Sequence, residues 1–194
     1  DDDHYVTARD MAKISKAALE NETFRYVACK PNYYIAPTNK DKHGKELWNH
    51  HKMVKRTMFN YDGVEGGKTG YTTKAGGTLV TFAKRGDQEL IVVDLCAHGY
   101  ELYEDTIKML NYGFNNYKTI APFKTMNTVL KDDTYGFLKT GNELSPYKIP
   151  LKHLNDVTVM LEKNQSASKL TYKCKDNKYI ISYDGKQIGS VKLH

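Results

Sequence analysis

Cysteine is scarce in this chain: the three present, Cys29, Cys96 and Cys174, are an odd number spread over 194 residues, which excludes a fully paired disulfide framework. None forms a C-x-x-C pair, so the spacing of a zinc site is missing too. The redox compartment stays open on this count. Long apolar runs are missing as well. No stretch approaches the roughly 18 to 20 consecutive apolar residues that a bilayer-crossing helix needs, and the mean hydropathy is -0.65, which excludes a helical membrane span. Low-complexity segments and fixed-period repeats are absent. What is present argues for a folded protein, because 40% hydrophobic and 11% aromatic residues supply enough apolar surface to offset the entropy of ordering.

Charge of one sign is in modest excess. Twenty-nine Lys and Arg against 23 Asp and Glu leave +6, a balance that favours anionic partners without naming one. The lysines are scattered singly (Lys40, Lys42, Lys45, Lys52, Lys84, Lys108, Lys118, Lys152) and the 15 tyrosines are equally dispersed. A nucleic-acid binder clusters both, so no nucleic-acid partner is expected.

The chain begins almost inside an element. Thr7 can cap a helix and Asp10 can answer it as a capping-box variant, so the sequence reads as a piece cut from a longer protein. From Thr7 to about Asn21, Ala8, Met11, Ala12, Ile14, Ala18 and Leu19 recur at helical spacing. Residues 22 to 60 carry weaker signals: a short strand at Tyr33-Tyr34-Ile35 between Pro31 and Pro37, a turn at Lys40 to Lys45, and a packed segment around Leu47-Trp48 and Met53-Val54, with the Trp48 ring as its largest burial. Val64 to Tyr71, Gly76 to Ala83 and Glu89 to Cys96 then read as three antiparallel strands, the last two joined by a hairpin turn at Arg85 to Gln88. Leu102, Ile107, Leu110 and Phe114 return to helical period. Helix, β-meander, helix makes an α+β arrangement in which both helices can cover one face of the sheet. After Tyr117 only strand-like runs follow, at Met126 to Leu130, Val157 to Leu161, Leu170 to Cys174, Tyr179 to Tyr183 and Ile188 to Leu193. Residues 118–194 therefore read as a separate small all-β domain of sandwich type, after a first domain over residues 1–117.

Gly67-Lys68-Thr69 invites a phosphate-loop reading, but the glycine required five positions earlier is Asp62, and the following residues continue as turn and strand instead of opening a helix. On the edge of an antiparallel sheet, Lys68-Thr69-Gly70 is instead the third signature of the penicillin-recognising serine acyltransferases, whose full set is S-x-x-K, S-x-N and K-T-G. The Lys68 ammonium would attract a substrate carboxylate, the Thr69 hydroxyl would hydrogen-bond it, and Gly70 would let a peptide backbone come close. The peptide would add to the edge as a further strand, with the Tyr71 backbone N–H as one oxyanion donor. A second copy, Lys139-Thr140-Gly141, falls in the β region and reads as a turn.

Context separates the two copies. The run from Asp62 through Lys68-Thr-Gly-Tyr-Thr-Thr-Lys-Ala-Gly-Gly-Thr78 to Leu90-Ile-Val-Val resembles the D-alanyl-D-alanine carboxypeptidases, the low-molecular-mass penicillin-binding proteins. His4-Tyr-Val-Thr-Ala-Arg-Asp-Met-Ala12 is similar to a helix of that family, and Leu47-Trp-Asn-His-His-Lys52 resembles its "l-x-N-x-N-x-l" segment, with His51 in place of the second Asn and Tyr71 where a His is common after K-T-G. The resemblance covers residues 1–117. It implies a serine D,D-carboxypeptidase that removes the terminal D-alanine of a peptidoglycan stem peptide through an acyl-enzyme, is acylated by β-lactams, uses no metal or organic cofactor and works outside the cytoplasmic membrane. The family is commonly tethered by a C-terminal amphipathic helix, and no such helix is read in these residues.

The family places S-x-x-K and S-x-N before K-T-G, and neither stands before Lys68 here, so this stretch reads as the C-terminal part of such an enzyme, inactive alone. Ser166-Ala-Ser-Lys169 matches S-x-x-K but lies among turn residues of the β region, with no helix to project Ser and Lys together. His50 and His51 are adjacent, so their rings point apart and a metal site is disfavoured. His98 reads as a turn residue, Asp94 as either a paired core group or an edge group, and Glu65 as lying on the opposite strand face from Lys68 by parity. Two rivals remain: a non-catalytic wall-binding or partner-docking module, and a β-lactamase fragment.

Overall fold

The structure is a computed structural model that describes residues 3–55, 57–124, 128–130, 135–140, 143–144, 149–150, 157–176 and 178–192. It divides into two compact units, Asp1–Phe114 and Asn115–His194.

In the first unit, helix α1 spans Ala8–Leu19. It starts where expected because Thr7 is extended, accepts the Asp10 N–H at 3.1 Å and donates its hydroxyl to the Asp10 carboxylate at 2.6 Å. A second helix, α2, Glu22–Ala28, has no counterpart in the sequence reading. Seven residues are too few to show a 3.6 period, and Phe24, Tyr26 and Val27 favour strands. What starts it is the Asn21 cap, whose side chain accepts the Phe24 N–H at 3.0 Å, and what holds it is Arg25, paired with Glu65 at 3.0 Å and Glu89 at 2.6 Å.

Strands β1, Asn32–Ile35, and β2, Lys45–Trp48, form an antiparallel hairpin. Its residues are all exposed, Trp48 included at 51%. The expectation of a buried Trp48 is therefore corrected: a two-stranded ribbon has no second layer to bury a ring against. The packed residues of this region are Met53, Val54 and His51.

Strands β3, Val64–Thr72, β4, Gly76–Arg85, and β5, Gln88–Ala97, form the antiparallel sheet in the order β3-β4-β5. The tight β4–β5 turn uses Gly86 at φ +57°. Helix α3, Glu101–Asn116, follows and buries Leu102, Thr106, Leu110 and Phe114 at successive four-residue steps. Leu79, Ala83 and Val92 pack with Met53, Leu102, Tyr103, Leu110 and Phe114 on one face. Val80 and Phe82 pack with Leu19, Met11, Ala28, Ile91 and Val93 on the other. The helices thus cover opposite faces, not one. The run Leu79-Val-Thr-Phe-Ala83 is buried throughout, and a strand that is apolar on both sides needs a cover on each.

The second unit contains strands and two 3-10 turns among the described residues. Strand β6, Tyr117–Ile120, pairs with β11, Val159–Glu162. Strands β7, Thr128–Leu130, β8, Tyr135–Thr140, and β10, Ile149–Pro150, form a second sheet in the order β10-β8-β7, with β9, Glu143–Leu144, also on β8. Lys139 and Thr140 therefore end a strand, not a turn, and Gly141 lies outside the described residues. Strands β12, Leu170–Lys175, β13, Lys178–Tyr183, and β14, Lys186–Lys192, form the third sheet. Its inner face buries Tyr179 and Ile181 against Phe123 and Val159.

Candidate functional site

Lys68-Thr69-Gly70-Tyr71 lies in β3, and β3 is an edge strand: it pairs with β4 on one side, Lys68 opposite Val80 and Thr69 opposite Leu79. Lys68 is exposed, Thr69 half-buried and Tyr71 76% exposed. The Lys68 ammonium donates to the Thr69 carbonyl and makes no ion pair among the described residues. A cleft of about 210 Å³ opens beside these groups, lined by Trp48, Asn49, His50, Lys68 and Thr69. The structure thus brings the K-T-G strand together with the segment resembling "l-x-N-x-N-x-l".

The two glycines before Lys68 explain how that strand is held. A Cβ on Gly66 would lie 2.5 Å from Cys29 Sγ and 2.9 Å from the Ala28 carbonyl. A Cβ on Gly67 would collide with the Val80 carbonyl and lie 2.6 Å from the His51 ring. The end of α2 and the His51 imidazole therefore grip β3, and only glycine admits both. Asn49 sets the approach: its amide donates to the Ala28 and Lys30 carbonyls at 3.2 and 3.0 Å, and its Oδ1 accepts the His51 N–H at 2.9 Å. Gly70 closes the pattern, since a Cβ there would sit 2.5 Å from Thr78 Oγ1.

His51 is the site residue whose role the sequence did not disclose. Its side chain is fully buried, Nε2 is 2.9 Å from Thr81 Oγ1, and the ring stands edge-on to Tyr103 at 5.9 Å. Nδ1 has no hydrogen-bond partner among the described residues. Burial without a carboxylate pushes its pKa down to about 4, opposed by the Val80 backbone carbonyl as acceptor of a ring N–H. His50 is exposed, so the adjacent pair does split as expected, one ring to the cleft and one to the core. No cluster of three or more His, Cys, Asp or Glu able to hold a metal occurs among the described residues.

The other candidates fall away from the cleft. Glu65 pairs with Arg25 and not with Lys68, in line with the separation from Lys68 that the sequence implies; a bulge between Val64 and Gly66 falls at this position. Asp94 is half-buried with Oδ2 unpartnered among the described residues, and burial first, then the charge of Asp105, raises its carboxyl above the usual range. His98 is exposed and gives its carbonyl to the Glu101 N–H at the start of α3. Cys29 and Cys96 are free thiols; burial and then Glu65 push the Cys29 thiol up. Ser166 caps the 3-10 turn Ala167–Lys169 and shares its hydroxyl with Ser168 at 2.8 Å, while Lys169 pairs with Asp184 at 3.5 Å. The S-x-x-K match is a cap and a surface ion pair.

An antiparallel sheet covered by helices on both faces, with Lys-Thr-Gly displayed on its edge strand, defines the class of the penicillin-recognising serine acyltransferases. Residues 1–99 match the family model described as D-alanyl-D-alanine carboxypeptidase, and the chain belongs to that family. It is 29% identical over 196 residues to D-alanyl-D-alanine carboxypeptidase DacF of Bacillus subtilis, covering 98% of this chain and 46% of the relative. Against DacC of Escherichia coli it is 32% identical over 121 residues, covering 62% and 28%. The chain thus spans about half or less of these relatives. Among solved structures, a mutant of the Streptomyces K15 DD-transpeptidase matches with a TM-score of 0.52 at 30% identity, over 58% of this chain and 44% of that one. Penicillin-binding protein 5 from Haemophilus influenzae matches with a TM-score of 0.63 at 23% identity, over 100% of this chain and 56% of that one, a likeness of fold.

Proposed function

We propose that residues 1–117 form the C-terminal part of the transpeptidase-like domain of a serine D-Ala-D-Ala carboxypeptidase and supply its substrate-carboxylate wall. The observation that carries this reading is the exposed Lys68 ammonium beside Thr69 on the unpaired edge of β3, at the rim of a cleft. A stem peptide ending in D-Ala-D-Ala lays itself along β3 as an added strand. Its terminal carboxylate takes the Lys68 ammonium in place of the Thr69 carbonyl and accepts the Thr69 hydroxyl. Gly70 leaves room for its backbone, and the Tyr71 N–H faces the oxygen that becomes negative in the tetrahedral intermediate. In the whole enzyme, the serine of an S-x-x-K motif attacks the carbonyl between the two D-alanines, its proton passes to the motif lysine, D-alanine leaves, and water hydrolyses the ester. β-Lactams place their carboxylate on the same two residues. Residues 118–194 form its β domain. The peptidoglycan substrate puts the enzyme outside the cytoplasmic membrane, and no cofactor enters the reaction. This stretch by itself binds and does not hydrolyse.

The test is a chemical-shift titration of the 15N-labelled chain with diacetyl-L-lysyl-D-alanyl-D-alanine. Shifts centred on Lys68 to Tyr71 are expected, lost when the peptide carboxylate is amidated and weakened roughly 10- to 100-fold by Lys68→Ala, the worth of one charged hydrogen bond. Equal binding of the amidated peptide refutes the carboxylate role.

A further inference from the structure

The net charge of this protein is not shared between its units. Residues 1–114 carry 16 Lys and Arg against 16 Asp and Glu; residues 115–194 carry 13 lysines, no arginine and 7 acids, so the whole +6 belongs to the second unit. Within it, the β12-β13-β14 sheet concentrates part of that excess on one face. Lys175 lies directly opposite Lys178, and Lys178 directly opposite Lys192. Lys173, two residues back along β12, points to the same side. All four are exposed. None makes an ion pair among the described residues, and Asp176, in the turn that joins β12 to β13, pairs with none of them.

This arrangement is enforced from behind. Tyr179 and Ile181 are each 1% exposed on the inner face, so slipping the register by one residue to separate the lysines would put those two side chains in water. Opposed residues of an antiparallel pair bring their Cβ atoms within about 4.5 to 5.5 Å, where like charges repel. A row of three ammonium groups about 10 Å long, at a strand spacing near 4.8 Å, is thus held together by the core and left without a counter-charge among the described residues.

We propose that this lysine face docks a linear polyol phosphodiester polymer without bases, a flexible chain with a phosphate in each repeat. Lysine is a point-like donor that neutralises phosphates without reading geometry, and displacing the polymer's counterions drives such binding. Nucleic acid fits poorly: the face offers no arginine fork and no aromatic ring on which a base could stack. A bilayer fits poorly too, since the apolar residues that accompany this face, Ile180, half-buried, and Ile188, 39% exposed, are single aliphatic side chains and make no continuous apolar face to insert.

The test uses the full chain, fluorescently labelled poly(glycerol phosphate) and a salt series. The variant Lys175→Gln/Lys178→Gln/Lys192→Gln is compared with Lys16→Gln/Lys40→Gln/Lys42→Gln, which removes the same charge from the first unit. The face variant is expected to bind at least tenfold more weakly and to reduce the slope of log K against log salt by about 2; the control stays within twofold of the parent. Its thermal midpoint at low salt is expected to rise as the repulsion is relieved. Equal losses in both variants, a fall in the midpoint, or tighter binding to phosphatidylglycerol vesicles or single-stranded DNA than to the polymer overturns the proposal. None of these readouts involves Lys68, so failure here is distinct from failure of the carboxylate role.

Discussion

At the scale of single residues, His51 is where stability and the site meet. It fills the space behind Gly67 and is neutral in the fold, with a pKa lowered to about 4 from 6.5. Above pH 6.5 folded and unfolded forms are both neutral and His51 contributes no pH dependence. Below it, the unfolded chain takes up a proton that the fold refuses, so stability falls as pH drops from about 6.5 to about 4, by roughly 3 kcal/mol at the full shift. Urea unfolding at pH 7, 5.5 and 4 measures this, and in His51→Asn the component is expected to vanish. An unchanged acid limb in that variant would show that other groups set it. The side chain was visible in the sequence as a departure from an Asn pattern, but its burial was not, because a polar residue beside His50 and Lys52 reads as surface. The paired glycines gave a signal that could have found it: two successive residues without Cβ in a strand imply close approach from both faces.

Among elements, α2 is the least legible and the most dependent on partners. Its seven residues cannot sustain a helix alone, and the Arg25 pairs with Glu65 on β3 and Glu89 on β5 tie it to the sheet. These side chains are about a third exposed, so the link is worth about 1 kcal/mol after solvent screening. Arg25→Leu is expected to lose that amount and to leave Glu65 and Glu89 without their cation, with amide exchange rising in Glu22–Ala28 before it rises in β4. Uniform exchange across the unit would deny α2 its separate anchor. By contrast α1, β4, β5 and α3 were readable from the start, because each carries a cap, a turn or an apolar period of its own. The sides that the helices take were not, since strand alternation says that a face is apolar without saying which helix lies on it.

For the molecule as a whole, the uneven charge predicts uneven salt response. The first unit is neutral in Lys and Arg against Asp and Glu, and the second carries +6. Raising ionic strength from about 10 mM to 1 M shortens the screening length from roughly 30 to 3 Å, which relieves repulsion only where like charge is concentrated. Exchange protection in β12–β14 is expected to increase with salt while that in β3–β5 stays level. Parallel changes in both sheets would contradict this partition.

The family, the α+β class and the strand that carries K-T-G followed from local sequence, because each is encoded by neighbours a few positions apart: caps, hairpin turns, two- and four-residue periods, a short signature in context. Tertiary structure alone decided that Trp48 stands at a cleft, that His51 lies behind the recognition strand and that three lysines on separate strands share a row. Those outcomes depend on which distant segments meet, and a meeting of segments far apart along the chain leaves no periodic trace in it.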